Sequence, residues 1–157
     1  MKKLFSVLAM LALTISTVFW VTSSESSAGP APRLTDVQIV GITSDGNDFV
    51  MEKLTRDQRL AEKPLKGETV RIAIYEKGTV RKGFLRIKNG EEDITHKTKA
   101  LHELTDYLVD KDRIVYGYIK YYDIPVSLVN SGTIEITGLD YASNNTYSDY
   151  IHFKIEN

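Results

Sequence analysis

Apolar residues alternate with polar ones in several short segments, and this alternation constrains the fold more than any other feature of the chain. The clearest examples are residues 70–75, 133–137 and 150–156. A period of two places every second side chain on one face of an extended strand, and β-branched residues favour such a surface. The inward side chains of the three predicted strands are Val70, Ile72, Ile74, Ile134, Ile136, Ile151, Phe153 and Ile155.

Two further patterns indicate how such strands are shaped and connected. In residues 37–43 the alternation changes phase between Ile39 and Val40, which predicts a β-bulge. The dipeptide Asn89-Gly90 is a strong signal for the tight turn of a β-hairpin. About seven short strands with turns between them are typical of a β-sandwich or a β-barrel.

One segment has a different spacing. Residues 98–109 carry Leu101, Leu104 and Leu108 at intervals of three and four, which predicts a short helix that Thr98 caps. A helix of about three turns would need tertiary contacts for its stability. If it packs across a sheet, the fold is α+β and β-grasp-like, which is the alternative to a mainly β fold.

The end of the chain carries a more specific pattern. Residues 132–146 contain a strand, Asp140 and a turn of small residues with Asn144 and Asn145, and a closing strand follows up to residue 156. This order resembles the last hairpin of bacterial immunoglobulin-like domains, although Ser143 stands where that family usually has glycine. The resemblance covers residues 132–156 and implies a small immunoglobulin-like β-sandwich with at most one short helix (98–109). It specifies no activity, because such domains have many roles.

The N-terminal segment predicts the compartment. Lys2 and Lys3 precede an uncharged apolar run over residues 4–21, and small or polar residues follow up to Ala28. This order is typical of a secretory signal peptide cleaved after Ala28, whereas an uncleaved membrane anchor is the alternative because the run is long enough to span a bilayer. The predicted organisation is a signal peptide over residues 1–28, a linker over 29–33 and a single β-rich domain over 34–157, secreted to the extracellular space.

Charge and cysteine content restrict the partners. The whole chain has 20 basic and 21 acidic residues, and loss of Lys2, Lys3 and Glu25 with the signal peptide leaves 18 and 20, a net charge of −2. This balance argues against nucleic acid as a partner and against stable membrane association after signal cleavage. The chain has no cysteine, so an exported domain of this kind depends on its core alone. Together with the Lys-Lys start, this suggests a bacterial origin.

Few residues indicate catalytic or metal chemistry. The three histidines, His96, His102 and His152, lack the spacing of a zinc motif and are predicted to lie on the surface. Residues 45–48 resemble the start of a calcium loop, but Arg56 stands where an EF-hand needs its bidentate glutamate. The acidic clusters 91–93 and 110–112 adjoin turn signals, which predicts solvated loops. We therefore predict no catalytic residue, no metal site and no cofactor.

Tyrosine is the residue type in excess, and all nine tyrosines lie in residues 75–150. In the run 114–123, Tyr116, Tyr118 and Tyr122 share one face. If the alternate residues face inward, these rings form an exposed row that could stack on sugar rings or grip a peptide. The plainer interpretation is that the rings stabilise a sheet through cross-strand pairs. Tyr116, Tyr118 and Tyr122 are the predicted ligand-binding residues.

Three functions fit this sequence. The first is a non-catalytic extracellular module that binds a protein or a cell-surface glycan, and the missing catalytic motifs and the tyrosines favour it. The second is a small secreted hydrolase, which needs a pocket with a histidine beside a carboxylate or a hydroxyl. The third is a secreted effector or inhibitor that docks on one protein partner, which an exposed apolar patch would favour.

Overall fold

The computed structural model describes residues 32–156, and β-strands dominate them. The strands are β1 Asp36–Ser44, β2 Glu52–Lys53, β3 Leu65–Lys66, β4 Thr69–Lys77, β5 Val80–Asn89, β6 Glu92–Asp93, β7 Lys99–Ala100, β8 Asp106–Val109, β9 Val115–Pro125, β10 Thr133–Asp140, β11 Thr146–His152 and β12 Ile155–Glu156. Short 3₁₀ turns lie at Asp45–Asn47, Thr95–Lys97, His102–Leu104 and Val126–Leu128. The predicted mainly β fold is therefore confirmed.

Two antiparallel sheets form the body of the fold. The first has the strand order β2-β1-β4-β9-β7, and β8 also pairs with β9. The second has the order β11-β10-β5-β6. Separately, β12 pairs with β3 in a short parallel ladder. Strand β4 is in register with β1 on one side and with β9 on the other, so these three strands make the centre of the first sheet. This arrangement is a β-sandwich.

The core lies between the inner faces of the two sheets. Seven β-branched side chains of β4, β5, β10 and β11 have no solvent exposure, and burying such a side chain stabilises a fold by roughly 1.5–3 kcal/mol. They are Val70, Ile72 and Ile74 from the first sheet, and Ile87, Ile134, Ile136 and Ile151 from the second. The inward side chains predicted from the alternation are confirmed, with Phe153 also buried and Ile155 packed against the core.

Local features predicted from the sequence are found where expected. The register of β1 with β4 shifts between Ile39 and Gly41, which confirms the β-bulge. At this point the backbone N–H of Ile39 donates to Asp149 of β11 at 2.8 Å, so the bulge is tied to the opposite sheet. Gly90 has a φ of 61° and turns β5 into β6, as the Asn89-Gly90 pair predicts.

The predicted helix over residues 98–109 is wrong. This segment forms β7, a 3₁₀ turn and β8, and both strands pair with β9. Leu101 is 4% exposed but Leu104 is 42% exposed, so the leucines do not form one buried stripe. The long strand β9 offers backbone partners over its whole length, and these outweigh the weak preference of three turns of helix. No helix of the described segment packs on a sheet, so the β-grasp-like alternative is also wrong.

The predicted signal peptide over residues 1–28 lies outside the described residues. Ala31–Asn157 forms one compact unit. Within residues 32–156, no helix has the length and apolar character needed to cross a bilayer.

Candidate functional site

The outer face of the first sheet carries an ion pair between β4 and β9. Arg71 alternates with the buried Val70 and Ile72, so its side chain points outward, and it lies opposite Asp123. Its Nε and Nη2 donate to the two carboxylate oxygens of Asp123 at 2.7 and 3.0 Å. This hydrogen bonding raises the pKa of Arg71, although burial opposes the rise. The bidentate geometry fixes the plane of the guanidinium group.

Phe49 covers that guanidinium group from the loop between β1 and β2. Its ring centroid lies 4.0 Å from Arg71 Cζ, a cation–π contact. Asp48 and Phe49 both have a φ of 53°, in the left-handed region that bulky side chains avoid. Such backbone strain costs roughly 1–3 kcal/mol per residue and is concentrated at functional sites. Here the strained loop holds a ring that is 38% exposed above a charged group, instead of burying it in the core.

The segment between β7 and β8 forms the opposite wall. Tyr121 of β9 donates its hydroxyl to Asp106 Oδ2 at 2.9 Å, which links the floor of the sheet to this wall. Burial and the contact with Asp106 raise the pKa of Tyr121, so the hydroxyl keeps its proton at neutral pH. The charge of Glu103 also raises the pKa of Arg71, so this carboxylate acts on the guanidinium group.

These elements enclose an open groove of about 470 Å³. Its lining residues, called the groove from here on, are Phe49, Met51, Arg71, Glu103, Leu104, Thr105, Asp106 and Tyr121. Apolar surface alternates with a few polar groups, which is the usual composition of a ligand site. Within residues 32–156, Arg71 Nη1 and the Glu103 carboxylate have no hydrogen-bond partner, so a donor and an acceptor remain for a ligand.

The groove lies in a part of the chain that matches a known family. The family model described as Domain of unknown function (DUF4879) matches residues 29–153. The chain belongs to this family. All eight lining residues of the groove fall within the matched range of the DUF4879 domain. No curated protein matches the chain.

The predicted tyrosine row of this DUF4879 domain does not form an exposed face. In the register of β4 with β9, Tyr118 lies opposite Glu76 and Tyr122 lies opposite Ile72, on the inner side of the sheet. Tyr122 packs against the core, and burial raises its pKa to about 12. Tyr116 is exposed and Tyr118 is half-buried. A ligand-binding role of these rings stays a prediction, but the structure does not bring the three together on one open surface.

The residues of β9 that alternate with these tyrosines lie on the outer face of the sheet. Ile119 lies opposite Tyr75 on that face, where Tyr121 and Asp123 also lie. Both faces of β9 carry aromatic and aliphatic side chains, so its own sequence has no polar side. The neighbouring strand β4 decides the facing, because its inner side chains, from Val70 to Glu76 at every second position, have no solvent exposure.

The inner face of β9 carries Lys120, which forms an ion pair with the buried Glu76. Glu76 has no solvent exposure, and Lys120 Nζ donates to its Oε2 at 2.7 Å. The second oxygen, Glu76 Oε1, is buried without a partner. Burial raises the pKa of Glu76, and the nearby ammonium group of Lys120 partly opposes this. The pair joins β4 to β9 below the groove and takes no part in lining it.

The histidines lie on the surface of the DUF4879 domain, as predicted. His152 Nδ1 is 2.8 Å from the hydroxyl of Thr133, and its ring meets Tyr150 edge-on. A histidine beside a hydroxyl is part of what the hydrolase hypothesis needs. The pair lies on the exposed outer face of the second sheet, and it does not line the groove.

The turn at residues 45–48, which resembles the start of a calcium loop, is held by hydrogen bonds to the backbone. The Asp45 carboxylate accepts the backbone N–H groups of Gly46, Glu68 and Thr69, which ties the turn to the start of β4. These bonds, that of Thr69 first, lower the pKa of Asp45. Among residues 32–156, no group of three or more potential ligand side chains is placed to hold a metal ion.

Sequence reasoning missed Phe49, Arg71 and Tyr121. The alternation around Arg71 does place it on an outer face, so a signal existed for this residue. The strained backbone of Phe49 and the pairing of Arg71 with Asp123 depend on contacts between distant segments. No local pattern predicts them.

Proposed function

We propose that this protein is a non-catalytic extracellular binding module that holds a cell-surface glycan in the groove. The observation that carries the proposal is the Phe49–Arg71 stack, which a strained loop places at the wall of an open groove. The Phe49 ring adds little to the hydrophobic core, because it remains partly exposed. Since the strained backbone at Phe49 does not improve core packing, a role of this strain in ligand binding is its best explanation.

The composition of the groove fits a sugar. Sugar rings have apolar C–H faces that stack on aromatic side chains, and hydroxyl groups that both donate and accept hydrogen bonds. Phe49 and Tyr121 supply the aromatic surface. Glu103 and Asp106 supply acceptors, and Arg71 and Thr105 supply donors.

The N-terminal sequence supports the extracellular part of the proposal. The N-terminal segment has the order of parts found in a signal peptide, with a cut after Ala28. The family match begins at Gly29, the residue that follows the proposed cut. A match that begins at this residue is consistent with a leader that is removed before it.

A second candidate function is docking on a protein partner, as a secreted effector or inhibitor. Within residues 32–156, strand β8 pairs with β9 alone, so its other edge has no partner strand there. Tyr107 on β8 is 65% exposed, and Val109 and Ile114 beside the β8–β9 turn are also exposed. An open strand edge with apolar side chains is a surface on which a partner can add a strand.

The test is glycan binding by the secreted protein and by the variant Phe49→Asn. Asparagine tolerates a left-handed backbone, so this change removes the ring without new strain. We expect the wild type to bind glycans of an array of cell-wall fragments, and the variant to bind at least about tenfold more weakly. Affinities of the positive glycans are measured by calorimetry.

Tyr150→Asn is the matched control, because Tyr150 is an exposed ring on the outer face of the second sheet. We expect this variant to bind like the wild type. Equal binding by the wild type and Phe49→Asn would remove the groove from the function. Capture of a protein partner that is lost on Tyr107→Asn, without any glycan binding, would instead support the docking function.

A further inference from the structure

A second segment of the molecule is rich in basic residues. Residues 77–90 contain five basic residues and no acidic one, although the chain as a whole is nearly neutral. The basic residues are Lys77, Arg81, Lys82, Arg86 and Lys88. Most of this segment is β5, which belongs to the second sheet, whereas the floor of the groove belongs to the first.

Part of β5 projects out of its sheet. Leu85 pairs with Gly138 of β10, and the next pair toward the start of the strand is Val80 with Asp140. Four residues of β5, Arg81 to Phe84, thus stand opposite the single residue Leu139. We call residues 81–84 the basic bulge. Strand β6 pairs with β5 only at Lys88 and Asn89, so the bulge lies on an open edge.

The tip of the basic bulge is an aromatic ring between two guanidinium groups. Phe84 is 43% exposed, and its ring centroid lies 5.5 Å from Arg81 Cζ and 5.7 Å from Arg86 Cζ. Gly83 has a φ of 77°, and a Cβ at this position would meet no atom within 4 Å, so this side of the turn faces open space. The bulge contributes little to the core and presents its side chains to solvent.

Main-chain contacts hold both arginines in place. Arg81 Nη2 donates to the carbonyl oxygen of Ser143 at 2.9 Å, and Arg86 Nη1 donates to that of Gly83 at 2.6 Å. Each guanidinium group has five N–H donors, so several remain for an anion. Asp93, 3.3 Å from Arg86 Nε, is the counter-ion, and Lys82 has no partner within residues 32–156.

We propose that the basic bulge binds an anionic polysaccharide, with Phe84 against a sugar ring and Arg81, Lys82 and Arg86 against its charged substituents. Guanidinium groups beside an aromatic face match a sugar ring that carries a carboxylate, sulfate or phosphate group. This surface is separate from the groove and does not depend on the function proposed for it. It would attach the protein to a charged glycan layer.

An anionic lipid bilayer fits the basic bulge less well. Insertion into a bilayer needs an apolar tip, and here one ring is flanked on both sides by guanidinium groups that main-chain bonds hold beside it. Placing Phe84 among acyl chains would carry two charged groups out of water with it. At a polysaccharide, the same two groups remain hydrated and meet anions.

The test is affinity for heparin, a sulfated polysaccharide, and for polygalacturonate, a carboxylated one, over a series of salt concentrations. Uncharged dextran is the reference polymer. We expect the secreted protein to bind both anionic polymers and the double variant Arg81→Gln/Lys82→Gln to bind about tenfold more weakly. Binding releases about one counter-ion from the polymer for each protein cation that contacts it. Loss of two cations should therefore reduce the magnitude of the slope of log affinity against log salt by about two.

Lys63→Gln/Lys154→Gln is the matched control, because it makes the same change in net charge at two exposed lysines elsewhere. An equal loss of affinity in the control would show a general charge effect and overturn the proposal. Lys82→Glu is a second variant. The exposed Lys82 side chain has no partner to lose, so this variant should fold normally and bind more weakly than the wild type. The proposal is also overturned if Lys82→Glu binds like the wild type.

Phe84→Ala separates the ring from the charges. We expect it to weaken binding to both polymers while leaving the salt slope unchanged, because no cation is lost. Phosphatidylglycerol vesicles provide the last arm. If the wild type binds these vesicles and neither polysaccharide, the surface binds lipid and the proposal fails.

Discussion

Glu76 is the side chain whose burial is hardest to explain at the residue scale. It is fully buried, and only one of its carboxylate oxygens meets a cation, that of Lys120. Removing a carboxylate from water costs several kcal/mol, and a single partner rarely offsets this. Its position could not be predicted, because Glu76 follows Tyr75 at the end of an alternating strand and its partner lies 44 residues away.

Stability should respond to the protonation of Glu76. Its pKa in the folded protein lies above the ordinary value of 4.5, because burial disfavours the charge. The folded state then holds the proton more tightly than the unfolded state, so stability from this group is lost as pH rises through the folded pKa. We expect the wild type to lose stability relative to Glu76→Gln as the pH rises from the ordinary pKa of 4.5 through the raised pKa of the folded state.

Urea unfolding at several pH values measures this difference. Glu62→Gln is the control, because Glu62 is exposed, and its stability should run parallel to that of the wild type. A difference between wild type and Glu76→Gln that is constant with pH, or that grows in favour of the wild type, would contradict the account.

At the scale of elements, the sequence predicts those strands that have one polar and one apolar face. Strands β4, β10 and β11 are of this kind, and both their existence and their facing were predictable. Strand β9 has no polar side, and its facing follows only from its register with β4. Residues 98–109 formed strands because β9 offered partners, and a pattern of three leucines carries no information about such partners.

The cost of truncating the leucines distinguishes strand from helix in this segment. Leu101 is buried and Leu104 is exposed, whereas a packed helix would bury both. We expect Leu101→Ala to reduce the free energy of unfolding by about 2–5 kcal/mol and Leu104→Ala by less than about 0.5 kcal/mol. Chemical denaturation of the two variants measures both values, and similar losses in the two would favour the helix.

For the whole molecule, the first sheet carries the groove on its outer face and the second sheet carries the basic bulge at its edge. Each surface combines an aromatic ring with arginine, and each depends on an irregular backbone. The sequence showed neither, because loops and bulges bring together residues that no periodicity relates. Alternation alone predicts a mainly β fold of sandwich or barrel type, which is why the fold class was predictable and the site was not.

The exported form should begin at Gly29. The apolar run over residues 4–21 and the small residues before Gly29 fit a cleaved leader. We expect intact mass analysis of the protein from culture medium to give the mass of residues 29–157. A protein that stays in the membrane fraction with its N-terminus intact would support the anchor instead.

The location of the ligand tests the central claim most directly. Backbone amide chemical shifts of the protein can be followed during titration with a glycan selected by the array. The account predicts that the largest changes occur at Phe49, Arg71 and Tyr121, around the groove. Changes centred on Tyr116 and Tyr118, with the groove residues unaffected, would contradict the account. They would place the glycan-binding site at the predicted tyrosine row instead.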